Sequence, residues 1–296
     1  MTFFSQTRSR FKTKLIVLSL LLSCCTSSKP INLQDWSAGL QTEWVAVEQH
    51  QILTLEKPAD SNPPQAIHFY IEGDGTPWIT RYLIAENPTP RYPLALALMK
   101  RDPNLSFYLG RPCYYQPADF YLTLNQPDSS SPCDFHYWTD ARYSAEVVDI
   151  MKAAIATTLA RLPQDKRSLP VVIIGHSGGG TLAMLLAQRL PAVSGVITIA
   201  ANMDTYAWTK KQHYSPLKNS LSLADEASLR KLPQVHFAGS EDEVVPPDIN
   251  LPLMAKMGQT FTLVAGFNHD CCWLRDWPQL LQSAEHQLRQ QGLVKP

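Results

Sequence analysis

The residues best suited to chemistry lie in a glycine-rich stretch near the middle of the chain. Gly175-His176-Ser177-Gly178-Gly179 has the pattern G-x-S-x-G and follows the β-branched run Val171-Val172-Ile173-Ile174. A buried strand, a sharp turn and a helix together form the setting in which a serine hydroxyl is exposed as a nucleophile. Glycine permits the close packing that such a turn needs. The pattern predicts Ser177 as a nucleophile and the backbone N–H of Gly178 as an oxyanion donor.

Three other interpretations of this turn are open. It matches the first part of a phosphate-binding loop, but Thr181 stands where that loop needs a lysine. It also matches a dinucleotide-binding turn, which predicts a dehydrogenase that binds nicotinamide. No acidic residue ends the next strand, which closes in Ala200-Ala201-Asn202, and this weakens that interpretation. The third alternative is a purely structural turn.

A serine nucleophile needs a histidine base, and the base needs a carboxylate that orients it. In the fold with this turn, the acid and then the histidine follow the serine along the chain. Asp242 follows the predicted strand at 235–238, and His269 follows the predicted strand at 261–264. Asp204, after the strand at 196–200, is a rival acid, and Asp242 could also belong to a solvated acidic loop. His176 is expected to pack or to form hydrogen bonds rather than to act as the base.

A second oxyanion donor is expected in the loop after an earlier strand, where Glu72-Gly73-Asp74-Gly75 lies. The backbone N–H of Asp74 or of Gly75 is the candidate. The Asp74 side chain could instead brace the loop, and an ordinary glycine turn is the remaining alternative.

Strands and helices alternate along the rest of the chain, with helices expected from Ala141 to Leu162 and from Trp277 to Gln291. This alternation predicts an α/β fold with a doubly wound, mostly parallel sheet. Residues 202–232 are irregular and predict a small cap. The domain is expected to span residues 44–296. Its composition, with 45% apolar and 18% charged residues, fits one folded domain of this size.

The N-terminus has the features of an export signal. Basic residues from Arg8 to Lys14 precede a short apolar run that ends in Leu21-Leu22-Ser23-Cys24, a stretch that resembles a bacterial lipobox. This predicts a lipoprotein signal peptide over residues 1–23, lipidation of Cys24 and a tether over residues 24–43. The absence of an aspartate after Cys24 favours the outer membrane of the cell envelope. A plain signal peptide or a short uncleaved anchor is the alternative.

Charge and cysteine use limit the partners. The formal net charge is +0, and no basic stripe of the kind that binds phosphates is present, so nucleic acid is not expected as a partner. The six cysteines match no zinc-binding spacing. Cys113 and Cys133 bracket a polar loop and are predicted to form a disulfide bond. For Cys271 and Cys272, a bond to each other, two free thiols and cross-bonds to Cys113 and Cys133 stay open.

The sequence resembles the α/β-hydrolases, and more narrowly the lipoprotein members of that superfamily from bacterial envelopes. The resemblance covers about residues 45–290 and rests on five stretches, Glu72-Gly73-Asp74-Gly75, Gly110-Arg111-Pro112-Cys113, Trp138-Thr139-Asp140-Ala141-Arg142-Tyr143-Ser144, Gly175-His176-Ser177-Gly178-Gly179-Gly180 and His269-Asp270-Cys271-Cys272-Trp273. It implies esterase, lipase, thioesterase or peptidase chemistry without a cofactor. Asp74 departs from the longer glycine run of lipases, so the resemblance does not extend to a specific lipase.

Together these features predict a membrane-tethered serine hydrolase with Ser177, His269 and Asp242 as its triad and an ester or thioester of a small molecule or lipid as its substrate. Fold alone does not name a substrate. The alternative is a non-catalytic envelope lipoprotein that has the same fold and binds a ligand.

Overall fold

The computed structural model describes residue 1 and residues 33–60, 63–117, 120–121, 131–223 and 229–293. The chain divides into two compact units, residues 1–31 and 32–296, and the elements given below belong to the second unit. Residues 2–23 of the predicted signal peptide and Cys24 lie outside the described residues. No helix in the described part of the chain combines the length and the apolar character that a membrane crossing requires.

The described strands are β1 Gln41–Val47, β2 His50–Lys57, β3 Ile67–Ile71, β4 Trp78–Thr80, β5 Leu83–Ile84, β6 Leu105–Leu109, β7 Val171–His176, β8 Val193–Ile199, β9 Gln234–Gly239 and β10 Thr262–Val264. Eight of them form the central sheet, in the order β1-β2-β6-β3-β7-β8-β9-β10. The six strands from β6 to β10 in this order are parallel to one another, whereas β1 and β2 form an antiparallel hairpin at one edge. A separate hairpin consists of β4 and β5.

Helices cover both faces of the sheet. The described helices are α1 Leu33–Ser37, α2 Leu94–Met99, α3 Ala145–Arg161, α4 Gln164–Arg167, α5 Gly178–Ala187, α6 Thr205–Lys211, α7 Leu251–Met257 and α8 Trp273–Gln290, with 3-10 turns at Phe135–Trp138 and Pro247–Asn250. Buried residues of α3, α5 and α7 pack on one face, and those of α2 and α8 pack on the other. Ile173 faces the first layer and Ile174 the second, because successive side chains of a strand point to opposite faces.

The predicted doubly wound, mostly parallel sheet is confirmed. Some element bounds differ from the sequence-based expectation. The helix expected from residue 141 begins at Ala145, because the Ser144 side chain accepts a hydrogen bond from the Val147 N–H and so caps the helix. The last helix begins at Trp273 rather than at residue 277. The expected tether contains α1, and the sheet begins at Gln41.

Candidate active site

The turn between β7 and α5 has the geometry of a nucleophile elbow. Ser177 adopts φ 52° and ψ −125°, a region that residues with a side chain rarely occupy. The backbone tolerates this turn because its glycines leave room, and a Cβ on Gly175 would overlap the backbone of Gly179. The Ser177 side chain is therefore held at the carboxyl end of the central strand β7, where the ends of the parallel strands meet.

His269 and Asp242 approach Ser177 from the loops after β10 and β9. The His269 Nε2 atom lies 3.0 Å from Ser177 Oγ, and its Nδ1 atom lies 2.9 Å from Asp242 Oδ2. Asp242 is 4% exposed, so water does not compete for its carboxylate. Its other oxygen, Oδ1, accepts hydrogen bonds from the backbone N–H groups of Val244 at 2.9 Å and Val245 at 2.8 Å. The structure thus brings together the three side chains that the sequence predicts.

The rival acid, Asp204, has a different contact. It is the N-cap residue of α6, where its Oδ1 atom accepts a hydrogen bond of 2.9 Å from the Ala207 N–H. The Asp204 backbone N–H donates to Asn250 Oδ1 at 3.0 Å. A carboxylate at the start of a helix is a common capping arrangement, and the observed contacts of Asp204 place it in this role.

The loop after β3, formed by residues 72–75 and hereafter called the 72–75 loop, lies against the elbow. Gly73 is so close to Ser177 that a Cβ added to it would lie 3.2 Å from Ser177 Cβ. Gly75 has φ +68°, and a side chain there would also meet the backbone of Pro88. Of the expected donors, Gly178 begins α5, while Asp74 and Gly75 follow Gly73 in this loop. All three expected oxyanion donors therefore lie beside the serine or in the loop that contacts it.

The Asp74 side chain is the centre of a buried polar cluster. Its carboxylate accepts hydrogen bonds from Arg111 Nη1 at 2.7 Å, Arg142 Nη1 at 2.8 Å and the Tyr143 hydroxyl at 2.7 Å. Burial alone would raise the pKa of Asp74, but the charges of Arg142 and Arg111 lower the pKa to about 2. Asp74 is therefore ionised at neutral pH and braces the loop.

Sequence analysis predicted no role for Arg111, Arg142 and Tyr143, although all three lie in stretches that carry the resemblance described above. Arg111 is 2% exposed and Arg142 is 6% exposed. Arginine is seldom buried unless it is paired. The local sequence around the two arginines carries no signal that identifies Asp74 as their partner.

His176 connects the 72–75 loop with the loop that carries His269. Its Nε2 atom lies 3.1 Å from the backbone oxygen of His269, and its Nδ1 atom lies 3.6 Å from Glu72 Oε1. Burial lowers the pKa of His176, but the Glu72 carboxylate outweighs this effect and the pKa is raised above its ordinary value. The Glu72 carboxylate also accepts hydrogen bonds from the N–H groups of Gly73 and Ala95. His176 has the hydrogen-bonding role that the sequence suggests.

The structure also pairs cysteines close to the site. Cys113 and Cys133 form a disulfide bond with an S–S distance of 2.03 Å and a Cα–Cα distance of 5.7 Å, which is within the usual range. Cys271 and Cys272 are bonded to each other, and the peptide bond between them is cis. Of the alternatives left open for the second pair, the structure has the adjacent disulfide.

Two groups in the described part of the chain have ligand atoms close enough to share a metal ion. They are His50 with Cys113 and Cys133, and His176 with His269 and Asp270. The two sulfur atoms of the first group belong to a disulfide. Both ring nitrogens of His269 already face Asp242 and Ser177. Metal binding at either group would compete with these bonds.

Comparison with known proteins supports the fold. No protein-family model matches the chain, and no curated protein is significantly similar to it. Several solved structures resemble it. Est1E from Butyrivibrio proteoclasticus has a TM-score of 0.54 and 11% identity, and the match covers 84% of this chain and 98% of that one. A serine hydrolase without a lid from Xanthomonas campestris has a TM-score of 0.50 and 12% identity, and the match covers 87% of this chain and 97% of that one.

A third similar structure is that of a protein of unknown function from Agrobacterium tumefaciens, described as a candidate α/β-hydrolase. Its TM-score is 0.51 at 14% identity, and the match covers 86% of this chain and 99% of that one. Identities this low establish the shared fold alone. The chain therefore has the α/β-hydrolase fold.

Proposed function

We propose that the protein is a serine hydrolase that cleaves carboxylic ester or thioester bonds through an acyl-enzyme. The observation that carries this proposal is the continuous chain of contacts from Asp242 Oδ2 through the His269 ring to Ser177 Oγ, with distances of 2.9 and 3.0 Å. The resemblance of the fold to esterases and other hydrolases is consistent with it.

In the first half of the reaction, Ser177 Oγ attacks the carbonyl carbon and its proton passes to His269 Nε2. The carbonyl oxygen becomes an oxyanion, which the N–H groups of Gly178 and of Asp74 or Gly75 bind. When the intermediate collapses, the bond to the alcohol or thiol breaks, and the leaving group takes the proton from His269. Asp242 keeps the imidazole in the tautomer that has its proton on Nδ1.

In the second half, water replaces the leaving group. His269 Nε2 accepts a proton from the water as its oxygen attacks the acyl carbon, and a second oxyanion forms in the same place. Collapse of this intermediate breaks the bond to Ser177 Oγ, which recovers its proton from His269 and releases the carboxylic acid. The free enzyme is restored without a cofactor.

Covalent labelling provides the test. A fluorophosphonate probe should label the wild-type protein but not Ser177→Ala, and hydrolysis of a panel of aryl esters and thioesters should fall by about 10⁴-fold or more in that variant. Ser168→Ala is the matched control, because Ser168 is exposed and its hydroxyl contacts only the Asp165 backbone oxygen among the described residues. A wild-type protein that neither reacts with the probe nor turns over any ester would favour the alternative, a binding protein that has kept the hydrolase fold.

A further inference from the structure

The segment after β6, residues 111–115 and hereafter the 111–115 segment, contacts the 72–75 loop through the side chains of Arg111 and Tyr114. Arg111 is 2% exposed and Tyr114 is 1% exposed, so neither side chain can reach a substrate directly. The guanidinium carbon of Arg111 lies 5.2 Å from the centre of the Tyr114 ring, a cation–π contact that keeps the two side chains together. Their polar atoms both point to the 72–75 loop.

These two side chains bind consecutive backbone carbonyl groups of that loop. Arg111 Nη1 donates to the Gly73 oxygen at 3.2 Å, and the Tyr114 hydroxyl donates to the Asp74 oxygen at 3.0 Å. In a planar trans peptide, the C=O and the N–H of the same unit point in opposite directions. Holding the Gly73 and Asp74 oxygens therefore also fixes the directions of the Asp74 and Gly75 N–H groups.

These two N–H groups are the ones proposed to bind the oxyanion. Among the described residues, no acceptor receives a hydrogen bond from the backbone N–H of Asp74 or of Gly75. Both groups belong to the loop that contacts Ser177 through Gly73. A preorganised donor stabilises an oxyanion because it does not have to reorient during the reaction.

The same cluster holds the loop against the elbow. Arg111 and Arg142 pair with the Asp74 carboxylate at 2.7 and 2.8 Å. That carboxylate is so close to Gly178 that any side chain at position 178 would collide with it.

The 111–115 segment is itself held in an uncommon conformation. Cys113 has φ 72° and Tyr115 has φ 62°, values that residues other than glycine rarely adopt. Such a conformation persists only where the surroundings enforce it. Two bonds provide that restraint: the disulfide between Cys113 and Cys133, and the hydrogen bond between the hydroxyls of Tyr108 and Tyr115, with 2.5 Å between the oxygens.

We propose that Tyr114 and Arg111 are positioning residues of the active site, which set the direction of the second oxyanion donor by holding the backbone carbonyls of Gly73 and Asp74. This inference rests on the proposed hydrolase function. It assigns a positioning role to two buried side chains that do not touch the substrate.

Tyr114→Phe tests the inference, because it removes one hydroxyl and leaves the ring that packs on Arg111. Loss of an oxyanion donor costs about 10²–10³-fold in turnover, and a donor that is present but misdirected should cost less. We expect kcat for an aryl ester to fall by about 10–100-fold, with KM within about two-fold of the wild-type value and an unchanged pH profile. The matched control is Tyr137→Phe, which also removes one tyrosine hydroxyl. That hydroxyl donates to the Glu146 carboxylate and belongs neither to the 111–115 segment nor to the 72–75 loop.

A transition-state analogue gives the decisive readout. An alkyl boronic acid forms a tetrahedral anionic adduct with a nucleophilic serine, so its Kd in Tyr114→Phe should rise by the same factor by which kcat/KM falls. Equal kcat and equal boronate affinity in Tyr114→Phe and wild type would overturn the inference. So would a lower melting temperature with unchanged kcat, since that result indicates a structural role only. Failure of the hydrolase proposal is distinguishable, because the wild-type protein itself would then fail to react with the fluorophosphonate probe.

Discussion

The His176 ring donates a hydrogen bond to the backbone oxygen of His269, with 3.1 Å between Nε2 and that oxygen. This contact links the residue before Ser177, the proposed nucleophile, to the loop of the proposed base. The Trp273 indole N–H donates to the same oxygen at 3.0 Å. The backbone that carries His269 is thus held from two directions. A catalytic base needs such support, because small errors in its position lower the rate strongly.

Replacing His176 with Phe should weaken turnover without removing the nucleophile. The substitution keeps a ring of similar size in this buried place but removes the contacts with Glu72 and the His269 oxygen. We expect kcat to fall by about 10–100-fold because the base is less well positioned. Steady-state kinetics on an aryl ester provide the measurement. His236→Phe is the control, because His236 is also buried, at 2% exposure, and its ring nitrogens contact Thr198 and Gln234 rather than the loop of His269. Unchanged kcat in His176→Phe would show that Trp273 alone holds the loop.

Asp242→Asn should lower turnover by about 10³–10⁴-fold, because the amide favours the wrong imidazole tautomer. Asp204→Asn should have a small effect, since asparagine caps a helix about as well as aspartate does. The two variants make the same chemical change at the two aspartates that are candidates for the carboxylate that orients His269. Measured kcat values with the reverse ranking would move the triad acid to the loop after β8.

The buried His236 ring should lower the free energy of unfolding as the pH falls. Its ring is buried between Thr198 Oγ1 and Gln234 Oε1, and burial lowers its pKa from 6.5 to about 3. The unfolded chain takes up a proton below pH 6.5 while the folded protein does not, so this group costs stability as the pH falls toward 3.

Urea unfolding at pH 6.5 and pH 4.5 measures this effect. The group should remove about 2–3 kcal/mol of the free energy of unfolding between these pH values in the wild-type protein, from about 1.4 kcal/mol per pH unit for one proton. His236→Gln should lose less over the same range, while the exposed His286→Gln should behave like wild type. Identical losses in His236→Gln and wild type would contradict the assignment of this acid sensitivity to His236.

Lipidation of Cys24 stays a prediction of the sequence. Cys24→Ser should move the protein from the membrane fraction to the soluble fraction with unchanged specific activity, because the anchor precedes the folded domain. Fractionation of cells and incorporation of a labelled fatty acid provide the measurements. A variant that still sediments with membranes, together with a wild-type protein that takes up no label, would contradict the lipobox interpretation.

Local sequence signals were sufficient for the elbow and for the type of fold. The β-branched run before Gly175 predicts a buried strand, and the glycines after it predict a tight turn, because both preferences act over neighbouring residues. Alternation of strands and helices predicted the parallel sheet. Asp242 and His269 could be predicted as candidates because each follows a strand at the edge where the carboxyl ends of the parallel strands meet.

The tertiary structure decided which distant side chains meet. Asp204 and Asp242 both follow parallel strands, and only the spatial order of the loops brings Asp242 to His269 while Asp204 caps α6. The cluster around Asp74 joins residues from three separate segments, and its buried arginines have no local preference that would reveal the partner. Contacts of this kind depend on the packing of the whole chain. A buried arginine needs an opposite charge, but only the tertiary structure determines which carboxylate lies beside it.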